Sequence, residues 1–222
     1  MKKQSKKKRN VNENGMNSGE HRTRVVGITG GIGSGKSVVA ETFEKKGAMI
    51  INADRLAKEI LWKESAIHDR VVKAFGTEIC DDNGIIDKDR LADVVFTGKE
   101  SIDKLNTIVH PEVIRIIRGQ IDSGRQTGRY PLIAVEAALI YEAKIDSLFD
   151  CMISVIADRE MRIGRIMKRD GVERTAVEKR MYLQIDQETH REKSDFVIEN
   201  NGTVEELVRG SEAVFDRIVT SS

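Results

Sequence analysis

From Gly30 to Ser37 the chain reads Gly-Gly-Ile-Gly-Ser-Gly-Lys-Ser, which fits G-x-x-x-x-G-K-[ST]. Small residues at this spacing let consecutive backbone N–H groups turn inward on a phosphate, and a helix starting at the lysine aims its positive end at the same point. Lys36 reaches the β- and γ-phosphates of a nucleoside triphosphate as a mobile charge, and the Ser37 hydroxyl is placed to ligate the Mg²⁺ that bridges them. The same glycines do not spell G-x-G-x-x-G, which disfavours a dinucleotide fold or a protein-kinase glycine loop.

Other residues must say where the phosphate goes. Asp54 follows a short apolar run that ends in Asn-Ala-Asp. A carboxylate there lies across the crevice from the loop, able to take a proton from an acceptor hydroxyl, or else it caps the helix that follows. Farther on, Arg162, Arg165 and Arg169 are spaced so that all three lie along one helical face. Such a face can close over a triphosphate and neutralise the transferring group, or it can be a solvated surface laced with ion pairs. Glu136 ends a nearly all-apolar run and can serve a metal through water or orient a substrate. A GTPase would be expected to carry the base-reading motif N-K-x-D, and the chain has none.

The elements that must hold these groups follow from apolar runs and glycine breaks. Val25, Val26 and Ile28 form a strand before the loop, and Lys36 to Lys46 reads as a helix with Val39, Ala40 and Phe43 on one face. Further strands are expected at Ala48–Ile51, Pro131–Val135, Cys151–Ala157 and Phe196–Ile198, with a closing amphipathic helix from Thr203 to Val219. Residues 55–127 are helical in pattern, with breaks expected at Gly76, at 82–84 and at His110-Pro111. That stretch is longer than a crossover between parallel strands needs, so it is expected to be an inserted helical subdomain that holds the second substrate. The fold class is therefore α/β, a doubly wound parallel sheet whose ligands sit at the carboxyl ends of its strands. The core comprises 24–54, 128–157 and 194–222, and the charged helical stretch 158–193 is expected to act as a lid.

Composition narrows the class further. The 222 residues are 39% hydrophobic and 33% charged, enough for one compact domain with insertions. No apolar run is long enough to span a bilayer, and the first residues lack the apolar stretch of a secretory signal, so a cytoplasmic location is expected. Cys80 and Cys151 have no partner at metal-ligand spacing and read as reduced thiols. Residues 1–23 carry seven Lys/Arg against two Glu, while the rest holds 30 basic and 34 acidic residues. The tail lacks aromatic groups to stack on bases and any hydrophobic period, so it is expected to be disordered and no nucleic-acid partner is expected. Met16 is a second candidate initiator.

These residues together resemble one family. From about Arg24 to its end the chain is similar to the dephospho-coenzyme A kinases, in Gly27–Ser37, Asn52-Ala-Asp-Arg-Leu-Ala57, His110-Pro111, Leu139-Ile-Tyr-Glu142, Arg165-Ile-Met-Lys-Arg-Asp170, Gln184 and Asp195–Gly202. The resemblance implies a P-loop NTPase fold and ATP-dependent, Mg²⁺-assisted phosphorylation of the ribose 3′-hydroxyl of dephospho-CoA, giving CoA and ADP. It implies Asp54 as general base, Lys36, Arg165 and Arg169 as phosphate-facing catalytic cations, and Ser37 at the metal. It also implies that Gly31, Ile32, Gly33, Ser34, Gly35, Lys36, Ser37 and Val38 bind the ATP phosphates, that Asn200 lies near its adenine, and that 55–127 binds CoA. Two departures stand out: Val38 replaces a common threonine, and Ala138 replaces a common proline.

Overall fold

A computed structural model describes residues 23–62, 66–95, 97–182 and 184–220. The expected basic tail, apart from Thr23, lies outside the described residues. Five strands form one parallel sheet: β1 (Arg24–Thr29), β2 (Met49–Asn52), β3 (Leu132–Glu136), β4 (Cys151–Ile156) and β5 (Phe196–Glu199). Their order across the sheet is β2-β3-β1-β4-β5. The chain leaves β1 toward one edge and returns through β3 toward the other, so the crevice beside β1 is the topological switch point where α/β sheets bind ligands.

Alternation along the strands divides the core into two layers. Val26, Ile28, Leu132, Ala134, Ile153 and Val155 face one side, against Val39 and Phe43 of α1 (Lys36–Lys45) and Leu207, Phe215 and Ile218 of α9 (Val204–Thr220). Phe43 and Phe215 meet edge to face with centroids 5.1 Å apart. Val25, Ile133, Val135 and Met152 face the other side, against α2 (Ala53–Trp62), α3 (Ala66–Phe75), α4 (Lys88–Val95) and α5 (Lys99–Thr127). Each central strand is buried on both faces, which is why it reads as a continuous apolar run.

Among the described residues from 53 to 127 the regular elements are the helices α2 to α5 and one short 3-10 turn, with one isolated bridge between Cys80 and Ile86. The break at Gly76 is present, with φ 92° closing α3, and so is the turn at Gly84. The break expected at His110-Pro111 is absent: α5 runs through Pro111 for 29 residues. Proline removes one backbone donor and crowds the preceding turn. Val109, Val113, Ile117 and Ile121, one turn apart and buried in the core on either side of it, hold the helix in place.

Between β4 and β5 lie α6 (Arg159–Asp170), α7 (Arg174–Tyr182) and α8 (Gln187–Lys193). Ile163 and Ile166 of α6 and Val177 of α7 form a small separate core with Ile32 of the glycine loop packed on it. α8 lies on β4, its His190 fully buried. Thus α6 and α7 are the helices that meet the loop, and α8 is part of the body.

Candidate active site

The glycine loop leaves the carboxyl end of β1 and enters α1 at Gly35, whose φ of 104° is the left-handed region that favours glycine. A Cβ at Gly35 would overlap the Asn200 carboxamide. That carboxamide donates from Nδ2 to the Ser34 carbonyl at 2.7 Å, so the loop after β5 fixes the glycine loop directly. Lys36 is buried, and its Nζ donates to the Gly30 carbonyl at 3.0 Å across the loop. Burial pulls its pKa down, Asp54 and Glu136 oppose the shift, and Arg162 and Arg169 add to it. Those four groups are therefore the charges that Lys36 feels.

Ser37 donates from Oγ to Glu136 Oε1 at 2.7 Å, and Asn52 donates from Nδ2 to Glu136 Oε2 at 2.8 Å. Glu136, only 5% exposed at the end of β3, thus joins the first turn of α1 and the ends of β2 and β3 in one polar cluster. Ser37 and Glu136 present hard oxygen donors beside Lys36, the donor type that Mg²⁺ takes alongside substrate phosphates and water. These residues fit the metal.

Asn52 takes the capping place that the sequence also offered to Asp54. Its Oδ1 accepts from the Arg55 amide at 2.8 Å, the bond of an N-cap. The cap is Asn52, not Asp54, because the helix begins at Ala53 and places Asp54 inside its first turn. Asp54 is exposed at the mouth of the crevice, and among the described residues its one hydrogen-bonding approach is a long 3.5 Å from the Ala138 amide to its Oδ1. A proline at 138 would have had no N–H to offer there.

The three arginines on α6 take different places. Arg162 is buried, donates from Nε to the Ile32 carbonyl at 2.9 Å, and lies so close over Gly31 that a Cβ there would overlap its guanidinium. Arg165 donates to the Asn200 carbonyl at 3.0 Å and approaches the Gly33 carbonyl at 3.5 Å. Arg169 turns outward and pairs with Asp170 at 2.7 Å. The Ile32 amide donates to Gln184 Oε1 at 2.8 Å, and the Ile185 amide donates to Glu142 Oε1 at 3.0 Å. The segment between α7 and α8 is thereby tied to both the glycine loop and the turn after β3.

The structure thus gathers Gly31–Val38, Asn200 and Arg165 around one loop, places Asp54 across the crevice, and leaves Arg169 paired at the rim. Sequence reasoning did not single out Arg162, Asn52 or Gln184 for these contacts, and it left Glu136 between two roles. The signal for Glu136 was its place at the end of an apolar strand. For Gln184 it was its occurrence among the stretches that carry the resemblance.

The chain matches the family model described as dephospho-CoA kinase over residues 24–206. It is 37% identical over 194 residues to the dephospho-CoA kinase of Fusobacterium nucleatum, covering 87% of this chain and 98% of that one. Among solved structures it resembles TT1252 from Thermus thermophilus, with TM-score 0.74 and 30% identity, covering 89% of this chain and 98% of that one. It also resembles dephospho-CoA kinase from Campylobacter jejuni, with TM-score 0.59 and 25% identity over the same shares. A loop built for triphosphate, a carboxylate freed from capping and an arginine helix over the loop occur here in a chain that belongs to the dephospho-CoA kinase family.

Proposed function

We infer that this protein transfers the γ-phosphoryl group of ATP to the ribose 3′-hydroxyl of dephospho-CoA, giving CoA and ADP, the final step of CoA biosynthesis. Asp54 takes the proton of the acceptor hydroxyl as its oxygen bonds to the γ-phosphorus and the bond to the ADP oxygen breaks; the proton then passes to solvent. Lys36 and the backbone N–H groups of Gly31 to Val38 hold the phosphates. Arg162 and Arg165, already fixed on the loop, supply positive charge without reorganising, and Arg169 reaches the transferring group if it exchanges Asp170 for phosphate. Ser37 and Glu136 would hold Mg²⁺, the latter through water. When bound, the ion would neutralise charge on the β- and γ-phosphates.

Asn200 lies behind the loop, beside the expected place of the ATP adenine. Helices α2–α5 form the acceptor-binding region, and α6–α7 form the lid that keeps water from the phosphoryl group. Among the described residues no helix is long and apolar enough to cross a membrane; we place the protein in the cytoplasm.

The observation that carries this reading is the pairing of a complete phosphate loop with an exposed carboxylate on the same crevice, Asp54 having been relieved of capping by Asn52. ADP release with Mg-ATP and a panel of acceptors tests it. Dephospho-CoA is expected to give strong turnover and free nucleosides or nucleotides little; the reverse order would overturn the assignment.

A further inference from the structure

Strands β3, β1 and β4 are neighbours in the sheet, and four consecutive residues, 184–187, touch the chain just beyond the carboxyl end of each. Gln184 Oε1 accepts from the Ile32 amide of the glycine loop at 2.8 Å. The Ile185 amide donates to Glu142 Oε1 of the turn after β3 at 3.0 Å, and Gln187 Oε1 accepts from the Ala157 amide past β4, also at 3.0 Å. Between them Asp186 caps α8 by accepting from the Thr189 amide at 2.7 Å, which anchors the segment to the body.

Both ends of this path are held. Ile32 is fixed at three points: its N–H by Gln184, its carbonyl by Arg162, and its side chain by the cluster of Ile163, Ile166 and Val177. Gly31 and Gly33 on either side offer no side chain to hold, so Ile32 is where that stretch of the loop is positioned. Glu142 belongs to a turn stiffened by backbone bonds from the Ala143 amide to Leu139 at 2.9 Å and from the Ile145 amide to Ile140 at 3.1 Å. Its Oε2 is buried without a hydrogen-bond partner among the described residues, so losing the bond from Ile185 would leave the carboxylate poorly satisfied. The same turn brings the Ala138 amide to within 3.5 Å of Asp54 Oδ1.

Phosphoryl transfer depends on the distance between a phosphate held by the glycine loop and a hydroxyl held beside Asp54. A misplacement of about 1 Å costs up to roughly 10²-fold in rate. The path from Asp54 through Ala138, Glu142, Ile185 and Gln184 to Ile32 spans that gap with hydrogen bonds and short lengths of backbone. On the reading of Asp54 as general base and dephospho-CoA as acceptor, we propose that Glu142 and Gln184 are positioning residues acting in series, a strap that keeps the glycine loop in register with Asp54. Neither touches the reacting atoms in this role; one acts through the turn after β3 and the other through Ile32.

Steady-state kinetics on the full chain with Mg-ATP and dephospho-CoA, together with nucleotide titration and thermal midpoints, tests the strap. Gln184 is half-buried, and Gln184→Ala should leave the midpoint near that of the native protein. It is expected to lower kcat about 10- to 100-fold while the affinity for ATP and the acceptor KM stay within about twofold. Glu142→Ala should show the same split, and the double variant should be little slower than either single one, because a strap cut once is already open. Glu142→Gln keeps an oxygen for the Ile185 amide and should retain most of the native rate. Loss of ATP affinity in Gln184→Ala in step with kcat would overturn the strap, because Gln184 would then serve the nucleotide itself. Strictly additive losses in the double variant would overturn it as well, since the two residues would act apart. Failure of the native protein to phosphorylate dephospho-CoA is a different result, which removes the acceptor reading and the strap with it.

Discussion

Asp54 stands exposed in the first turn of α2, two residues beyond the capping position that Asn52 fills. Its neighbour Asn52 carries both local duties, accepting from the Arg55 amide and donating to Glu136. Removing the Asp54 charge therefore takes nothing from the cap, and Asp54→Asn should leave the thermal midpoint almost unchanged. If it acts as general base, kcat should fall by about 10²- to 10⁴-fold while ATP affinity, measured by nucleotide titration, is largely retained. Turnover near the native value would reduce Asp54 to a surface carboxylate. The distinction between Asn52 and Asp54 was not legible in the sequence, because both residue types cap helices and the choice depends on where the helix starts, a matter of two residues. Glu136 was half legible. Its strand end could be read locally, but its bond to Ser37 joins residues 99 apart in the chain, and no local pattern carries that.

Among the elements, α6 lies against the phosphate loop through Arg162, and Gly31 is where the two meet. The Arg162 guanidinium occupies the space a side chain would need there. Gly31→Ala should thus push Arg162 off the Ile32 carbonyl, raising the KM for ATP and lowering kcat together by about an order of magnitude, the size of one displaced charge-assisted contact. The sheet and its two apolar layers should be untouched. In an Arg162→Ala background the same Gly31→Ala change should cost little more, because the overlap has gone. Strictly additive losses in that double-mutant cycle would show that the two residues are not coupled. Helical spacing had placed Arg162, Arg165 and Arg169 on one face but could not say which would reach the loop. That depends on the tilt of α6, fixed by Ile163 and Ile166 packing with Val177 and Ile32. The strands, the glycine loop and the turns at Gly76 and Gly84 were legible because their signals are local. The course of α5 through Pro111 was not, because its stability comes from packing against the sheet.

At the scale of the molecule, one buried polar chain joins parts of the fold that the apolar layers do not. Tyr141 of the turn after β3 bonds to Ser194 at 2.8 Å, Ser194 to Ser154 of β4 at 2.5 Å, and Ser154 lies 3.3 Å from Nδ1 of His190 on α8. His190 is fully buried, and its ring lies 5.5 Å from that of Tyr141. Its pKa is lowered from 6.5 to about 4, first by burial and then by the positive charges of Lys36 and Arg162, with Asp186 opposing and Lys193 adding. A histidine whose folded pKa lies below its unfolded value binds fewer protons folded than unfolded between the two. Its contribution to stability is therefore complete above about pH 6.5 and is lost as the pH falls toward 4. The slope from one such group is at most about 1.4 kcal/mol per pH unit. Over the upper part of that window the carboxylates remain ionised in the unfolded chain, so histidines dominate the change. His110, also lowered by burial, contributes with the same sign, and the informative quantity is the difference between two proteins. Urea unfolding from neutral pH down to about pH 4.5 should show stability falling with acid in the native chain. The fall should be shallower by about one proton in His190→Phe, which keeps the buried ring but cannot titrate. Parallel slopes for the two would mean that His190 takes up its proton in the folded state, and that the Tyr141–Ser194–Ser154 chain holds an imidazolium rather than a neutral ring.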